Sequence, residues 1–386
     1  MEIQGAEDVP EKDPKDNTEV YGGAPGDNVW KIGELFIIMS VLKQINRYRK
    51  AAMKQLTKNL GRTRLNGNAE VAASGKIKRV LVCRPNHRLG NLLLITPLLQ
   101  EIMETLPQAK VDLFVKGNLG SVLFRNYPNV NRIIQLPKKP AKSIFKYVGG
   151  WMAIRRNHYD IVINVVNHSS SGRLSAQFAN ATYRFLGDID EDIQSVNADH
   201  AHMAKYPVYS FRNYIQKLGF KKNERRVPPL DLKLSPAEIA GGRSVLQDLV
   251  RNDRKTICLY TYATGAKLYP PSWWDEFHAR LANEYAEYNI VELLPIENVS
   301  QLAFKVPSFY SKDLRLIGSF IAGTAVFIGA DSGMMHLASA SGVPTVGLFK
   351  TTNMDVYAPY GHNSVGINTT EDGMDACIKM VTRLLT

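Results

Sequence analysis

A chain of 386 residues is long for one core and suits two domains with a cleft between them. Its 45% hydrophobic content is that of a globular protein, and a net charge of +12 directs attention to acidic partners: nucleic acid, anionic lipid or phosphorylated substrates. The three cysteines, Cys83, Cys258 and Cys377, lie far apart; reduced, packed thiols in a cytoplasmic protein are the expectation, and a disulfide framework is excluded.

Residues 1 to about 28 are polar, acidic and rich in Pro and Gly, and read as disordered. Residues 29–64 read as helical. The run "LFIIMSVL" is too short to span a bilayer, and the eight basic residues between Val41 and Arg64, with no acid among them, follow it rather than precede it, unlike a signal peptide. Two readings stand. One is an amphipathic helix on an anionic membrane through residues 30–64, with Trp30, Leu35, Phe36, Ile38 and Met39 dipping in. The other is a helix packed on the body or on a second subunit, giving a homo-oligomer. "LNGNAEVAASGK" then reads as a linker that closes an extension of residues 1–75.

Short apolar runs then alternate with helical patterns, the signature of parallel βαβ units. In residues 76–235, "KRVLVCR", "KVDLFVKG", "RIIQLP" and "DIVINVVN" are expected strands, and "SIFKYVGGWMAIRR" a helix. After Gly90, Leu92, Ile95, Leu98, Leu99 and Ile102 recur at helical spacing. Pro97 interrupts that ladder, so either Thr96 caps a helix with Pro97 at its first position or an irregular turn spans 91–96. A second series fills residues 236–386: "KTICLYTYAT", "NIVELLP", "AVFIGA" and "PTVGLF" as strands, with helices between them. The expected fold is α/β, with two doubly wound Rossmann-like domains facing a cleft and a helical N-terminal extension. Ligands of such sheets sit at the carboxyl ends of the strands.

Two post-strand loops carry the chemistry. In "GADSGMMHLASASG", Asp331, Ser332 and Gly333 form a tight turn into a helix whose first amides are free for an anion. Asp331 can cap that helix or accept from a sugar, and Ser332 can donate a hydroxyl. His336 sits one turn in, where a packing role is the ordinary expectation. In "YTYATGAKLYPPSWW", Lys267 can neutralise a pyrophosphate without a metal, helped by Thr261 and Thr264. No G-x-G-x-x-G follows a strand and no Walker A lysine is present, which argues against a nicotinamide dehydrogenase and an NTPase. Nucleotide-sugar chemistry remains.

With "RLGNLLLITPLL", "AKLYPPSWWDEF" and above all "GADSGMMHLASASGVPTVGLF", the chain resembles glycosyltransferase family 9, the lipopolysaccharide heptosyltransferases of GT-B fold, over residues 77–386. The resemblance implies an inverting, metal-independent transfer of a sugar, a heptose from an ADP-linked donor, onto a lipopolysaccharide-like or other glycan acceptor, with no cofactor. It implies donor contacts from Lys267, Asp331, Ser332, Gly333, Met334 and His336, with Glu297 as the match for a ribose-binding acid. The acceptor side would comprise Arg84, Arg88, Gly90, Asn91, His168 and Arg173. Location would be cytoplasmic, on the inner face of the membrane.

The family's N-terminal motif commonly carries aspartate where this chain has Asn91, and an amide cannot take a proton at pH 7. Three outcomes follow. Another rim residue is the base, with His87, His168 and Asp188 on hand and His168 best suited by its side-chain type; or the base is dispensable, because leaving-group departure dominates; or the sugar nucleotide is bound without turnover. Other readings are a GT-B-type sugar-nucleotide epimerase and a non-catalytic nucleotide-sugar-binding subunit. Nucleic-acid binding ranks last, since the basic block carries no interleaved aromatics beyond Tyr48.

Overall fold

Each half of the protein is a fully parallel sheet, and its central strands are apolar on both faces because helices cover both. The computed structural model describes residues 63, 77–188 and 191–385. The expected basic helix of residues 29–64, with the membrane or subunit contact drawn from it, lies outside the described residues except at Thr63. The described residues all fall in one compact unit, Leu56–Thr386.

The first sheet runs β1 (Arg79–Arg84), β2 (Lys110–Lys116), β3 (Val130–Leu136), β4 (His158–Asn164) and β5 (Asn180–Phe185), in the spatial order β3-β2-β1-β4-β5. The strand order reverses between β1 and β4, which places a crevice at their carboxyl ends. The apolar ladder after β1 is split into α1 (Leu89–Leu93) and α2 (Thr96–Thr105), with Pro97 in the first turn of α2. Thr96 does not cap α2; Ile95 does, and the Thr96 hydroxyl donates to the Leu93 carbonyl at 2.7 Å. The helix Ile144–Arg156 (α3) follows β3, and Ser170–Phe178 (α4) follows β4. Further on, α5 (Tyr206–Lys217) lies against α2, where buried Glu101 accepts from Arg212 Nε and Nη2 at 2.9 and 2.7 Å.

The second sheet contains β6 (Thr256–Tyr260), β7 (Asn289–Leu293), β8 (Ser308–Phe309), β9 (Val326–Ala330), β10 (Thr345–Phe349) and β11 (Val365–Asn368), in the order β11-β10-β9-β6-β7-β8. Its switch point lies between β9 and β6. The helix α6 (Pro236–Val250) opens with a capping box, Ser235 with Glu238, and packs on α7 (Leu314–Ala322); α8 (Gly333–Ala340) follows β9 directly.

The segment joining the sheets is bonded to both. Leu232 N donates to Ala340 O at 2.7 Å, Gln100 Nε2 to Pro229 O at 2.8 Å, and Tyr127 OH to Asp231 O at 2.7 Å. The carboxyl ends of both sheets thereby face the same space, with α1 of the first half against α8 of the second.

Candidate active site

The approach of the two halves is closest at two glycines. A Cβ on Gly90 would lie 2.6 Å from His336 Cδ2, and one on Gly333 would lie 3.0 Å from Leu89 Cβ and 3.2 Å from Gly90 N. A side chain at Gly90 would force His336 aside, and one at Gly333 would crowd Leu89 and the Gly90 amide, so the two glycines let the turn after β1 meet the turn after β9. The two sequence motifs, 243 positions apart, thus form one surface.

On the second half, Asp331 leaves the end of β9 buried, its amide donating to Leu348 O at 3.0 Å. Its carboxylate does not cap α8. Ser332 is the N-cap, its hydroxyl accepting from Met335 N at 3.5 Å, while Asp331 Oδ2 holds Lys267 Nζ at 2.5 Å. Lys267 is partly exposed, so one of its three ammonium protons is committed and the others face solvent. The amides of Gly333 and Met334, in the first turn of α8, precede any intrahelical acceptor. A cation and a helix N-terminus therefore point into the same space.

Thr264 is exposed, and its hydroxyl makes no cap bond to the 3₁₀ turn Gly265–Lys267. Thr261 differs from expectation. It is fully buried and donates to Glu292 Oε1 at 2.5 Å, so its hydroxyl braces the end of β6 instead of reaching a phosphate. Glu292 is the acid inside "VELLP", and it also accepts from Ser300 Oγ. Glu297 is exposed in the loop after β7, close enough to Tyr260 that its charge helps raise that phenol. Two contributors were not legible. Lys350 Nζ donates to Leu268 O at 2.7 Å and lies 4.8 Å over the Tyr269 ring, fixing the Lys267 loop. Tyr357 lies near Arg84. The position of Lys350 just after β10, another post-strand loop, was the available signal; Tyr357 ends the short helix Met354–Tyr357 that follows.

His336 is buried, and burial pushes its imidazole down to about 4, with Asp331 acting against that shift and His202 and Lys267 reinforcing it. Its Nδ1 has no hydrogen-bond partner among the described residues. The ring is neutral at pH 7 and lies against the Gly90 backbone, one residue from Asn91. It is a wedge between the motifs.

On the first half, Arg84 ends β1 buried, and that burial pushes its guanidinium down to about 10, although the nearby Tyr357 raises it. Nε donates to Asn91 O at 3.4 Å, and no carboxylate pairs with it among the described residues. A buried cation without a counter-ion favours an anion in the crevice. Arg88 is exposed, its amide donating to Asn86 Oδ1 and its carbonyl accepting from Leu92 N, with no side-chain hydrogen bond among the described residues. His87 is exposed too; some burial, then Lys116, Lys138 and Arg88, lower its pKa. The Asn91 side chain is half-buried and without a hydrogen bond among the described residues. His168 is exposed on the loop between β4 and α4.

Arg173 and Asp188 are not free cleft residues. Arg173 is buried and donates from Nη1 to Asn167 Oδ1 at 2.7 Å and to Asp188 Oδ1 at 3.1 Å. Burial would raise the Asp188 carboxyl, but hydrogen bonds from the Thr63 hydroxyl and amide and from Arg173 together hold it below the usual range. So held, Arg173 is a scaffold residue rather than an acceptor contact, and Asp188 is a poor base.

Residues 311–386, which include the β9–α8 turn, match the family model for glycosyltransferase family 9 (heptosyltransferase). Lipopolysaccharide heptosyltransferase 3 of Escherichia coli is 23% identical over 301 residues, 72% of this chain and 85% of that protein. The chain is heptosyltransferase-like, with a glycosyltransferase family 9 segment at residues 311–386. Solved structures agree in fold: a glycosyltransferase family 9 protein of Veillonella parvula has a TM-score of 0.62 at 18% identity, covering 80% of this chain and 97% of that one. The E. coli heptosyltransferase WaaC, solved with ADP, has a TM-score of 0.56 at 16% identity, covering 79% and 99%. The two parallel sheets of this glycosyltransferase are thus the two domains of a GT-B fold.

Proposed function

We propose that this glycosyltransferase moves a heptose from an ADP-linked donor, with inversion and without a metal, onto a phosphorylated, lipopolysaccharide-like acceptor at the inner face of the cytoplasmic membrane. The observation that carries the reading is the Lys267–Asp331 pair set beside the N-terminus of α8 and directly opposite the Gly90–Asn91 turn. The donor's diphosphate would lie against Lys267, Thr264, Ser332 and the amides of Gly333 and Met334, with Glu297 toward the ribose. The heptosyltransferase WaaC, solved with ADP, supports an adenine nucleotide.

In the transfer, the acceptor oxygen bonds to the anomeric carbon as the bond to the diphosphate oxygen breaks on the opposite face. Negative charge grows on the departing diphosphate, where Lys267 and the α8 amides oppose it. Asn91 orients the acceptor hydroxyl through its amide, and Arg84 balances an acceptor anion. The proton leaves to a rim group: with Asp188 engaged by Arg173 and Thr63 and His87 set among cations, His168 takes that part. Calorimetric titration with ADP-, GDP-, UDP- and dTDP-linked sugars tests the donor assignment. Binding confined to the ADP-linked sugar is expected, and equal or absent binding of all four contradicts it.

A further inference from the structure

From Leu113 to Tyr159 the chain carries nine Lys and Arg and no Asp or Glu. Within that stretch, α3 begins with apolar residues turned outward: Phe145 is 90% exposed, Ile144 52% and Val148 49%. Spaced at i, i+1 and i+4, they share one helix face. The opposite face is the packed one. Gly150 and Ile154 are buried, a Cβ on Gly150 would come within 2.7 Å of Leu136 Cδ2, and Trp151 meets Phe114 edge-on at 5.4 Å. Lys138, Lys139, Lys142 and Lys146 ring the outward face, all exposed, and none is paired with a carboxylate among the described residues.

We infer that the start of α3 is a membrane-docking surface: Phe145, Ile144 and Val148 enter the interface of an anionic bilayer while the lysine ring meets its headgroups. Charge decides the occupant. An apolar face covered by a second copy of a chain this basic would bring like-charged rings together, whereas an anionic lipid surface satisfies both the apolar face and the lysines. The placement also has a consequence for the cleft. Lys138, in the segment that leads into α3, is one of the cations around His87 at the carboxyl end of the first sheet. Docking through α3 therefore holds the mouth of the cleft at the lipid surface, where a lipid-anchored acceptor presents its sugars; this last step rests on the proposed function, and the docking does not.

The experiment uses the full chain. Cys83, Cys258 and Cys377 are free but buried, so a Phe145→Cys variant takes an environment-sensitive fluorophore selectively at position 145. With vesicles of phosphatidylethanolamine and phosphatidylglycerol, the label is expected to shift to the blue and to be quenched by brominated acyl chains. Neither response is expected with pure phosphatidylcholine. In flotation assays Phe145→Glu, and separately Lys142→Glu with Lys146→Glu, should lower vesicle partitioning at least about ten-fold while leaving nucleotide binding unchanged. Flotation with a silent label would overturn the proposal, since contact would then lie elsewhere in the chain. So would absence of flotation, or a blue shift without vesicles that grows with protein concentration. Nucleotide titration of the same samples separates failure of docking from failure of the functional reading.

Discussion

Lys267 is held by one carboxylate and still has protons to give, which is the state of a side chain prepared for an anion. A hydrogen bond to a charged group contributes about 1.5–3 kcal/mol, so Lys267→Ala should weaken the nucleotide by roughly ten- to a hundred-fold, with some fall in melting temperature because buried Asp331 loses its partner. Asn91 and His168 separate in the same way. His168→Ala should reduce kcat by on the order of 10²- to 10⁴-fold at unchanged donor affinity, and Asn91→Asp should restore turnover in that background by putting a carboxylate beside the acceptor hydroxyl. If His168→Ala is silent, the proton leaves by another route. The residues themselves were legible because each is a polar group just after an apolar strand. Their commitments were not. Thr261 and Arg173 both look available in the sequence, yet one donates inward to Glu292 and the other pairs with Asp188, which Thr63 holds from 125 positions away.

At the scale of elements, α8 is positioned by what it buries. His336 has a folded-state pKa near 4, below its usual 6.5. The fold thus favours the neutral ring, and the stability linked to it is complete above about pH 6.5 and lost as the pH falls toward 4. His202 shifts in the same direction: its Nδ1 accepts from Ala204 N, its Nε2 meets Ala358 O at 2.9 Å, and burial lowers its pKa. Melting temperature should drop between pH 6.5 and 4, and less steeply in His336→Gln. A second element contact is the Glu101–Arg212 pair between α2 and α5, where removing one partner leaves a buried charge. Glu101→Ala should cost about 3–5 kcal/mol in denaturant unfolding. The central strands could be read because both their faces are apolar, giving continuous runs such as "LVC" and "VFIGA". The strands β5, β8 and β11 could not: β8 and β11 have only two and four residues, and β5 interleaves polar with apolar positions, so none carries such a run. Pro97 announced a break, and only the structure shows a complete turn of helix on its N-terminal side.

For the whole molecule, the two parallel sheets were readable from the alternation of strand and helix, but the contact that makes one site of them was not. Nothing in "RLGN" or "DSGMMH" states that Gly90 and Gly333 meet. That contact is reinforced by bonds from the joining segment and by Met203 N to Val356 O at 3.0 Å. A methyl group at Gly90 would push His336 away and part the two turns, so Gly90→Ala should destabilise by about 1–3 kcal/mol and impair transfer more than donor binding. The central claim, that the Lys267–Asp331 pair and the α8 N-terminus hold a nucleotide diphosphate sugar, is tested most directly by isothermal titration of ADP-linked heptose into the wild-type and Lys267→Ala proteins. Saturable binding to the wild type and an affinity at least about ten-fold weaker in the variant are expected. Equal affinities, or no binding to the wild type, would contradict it.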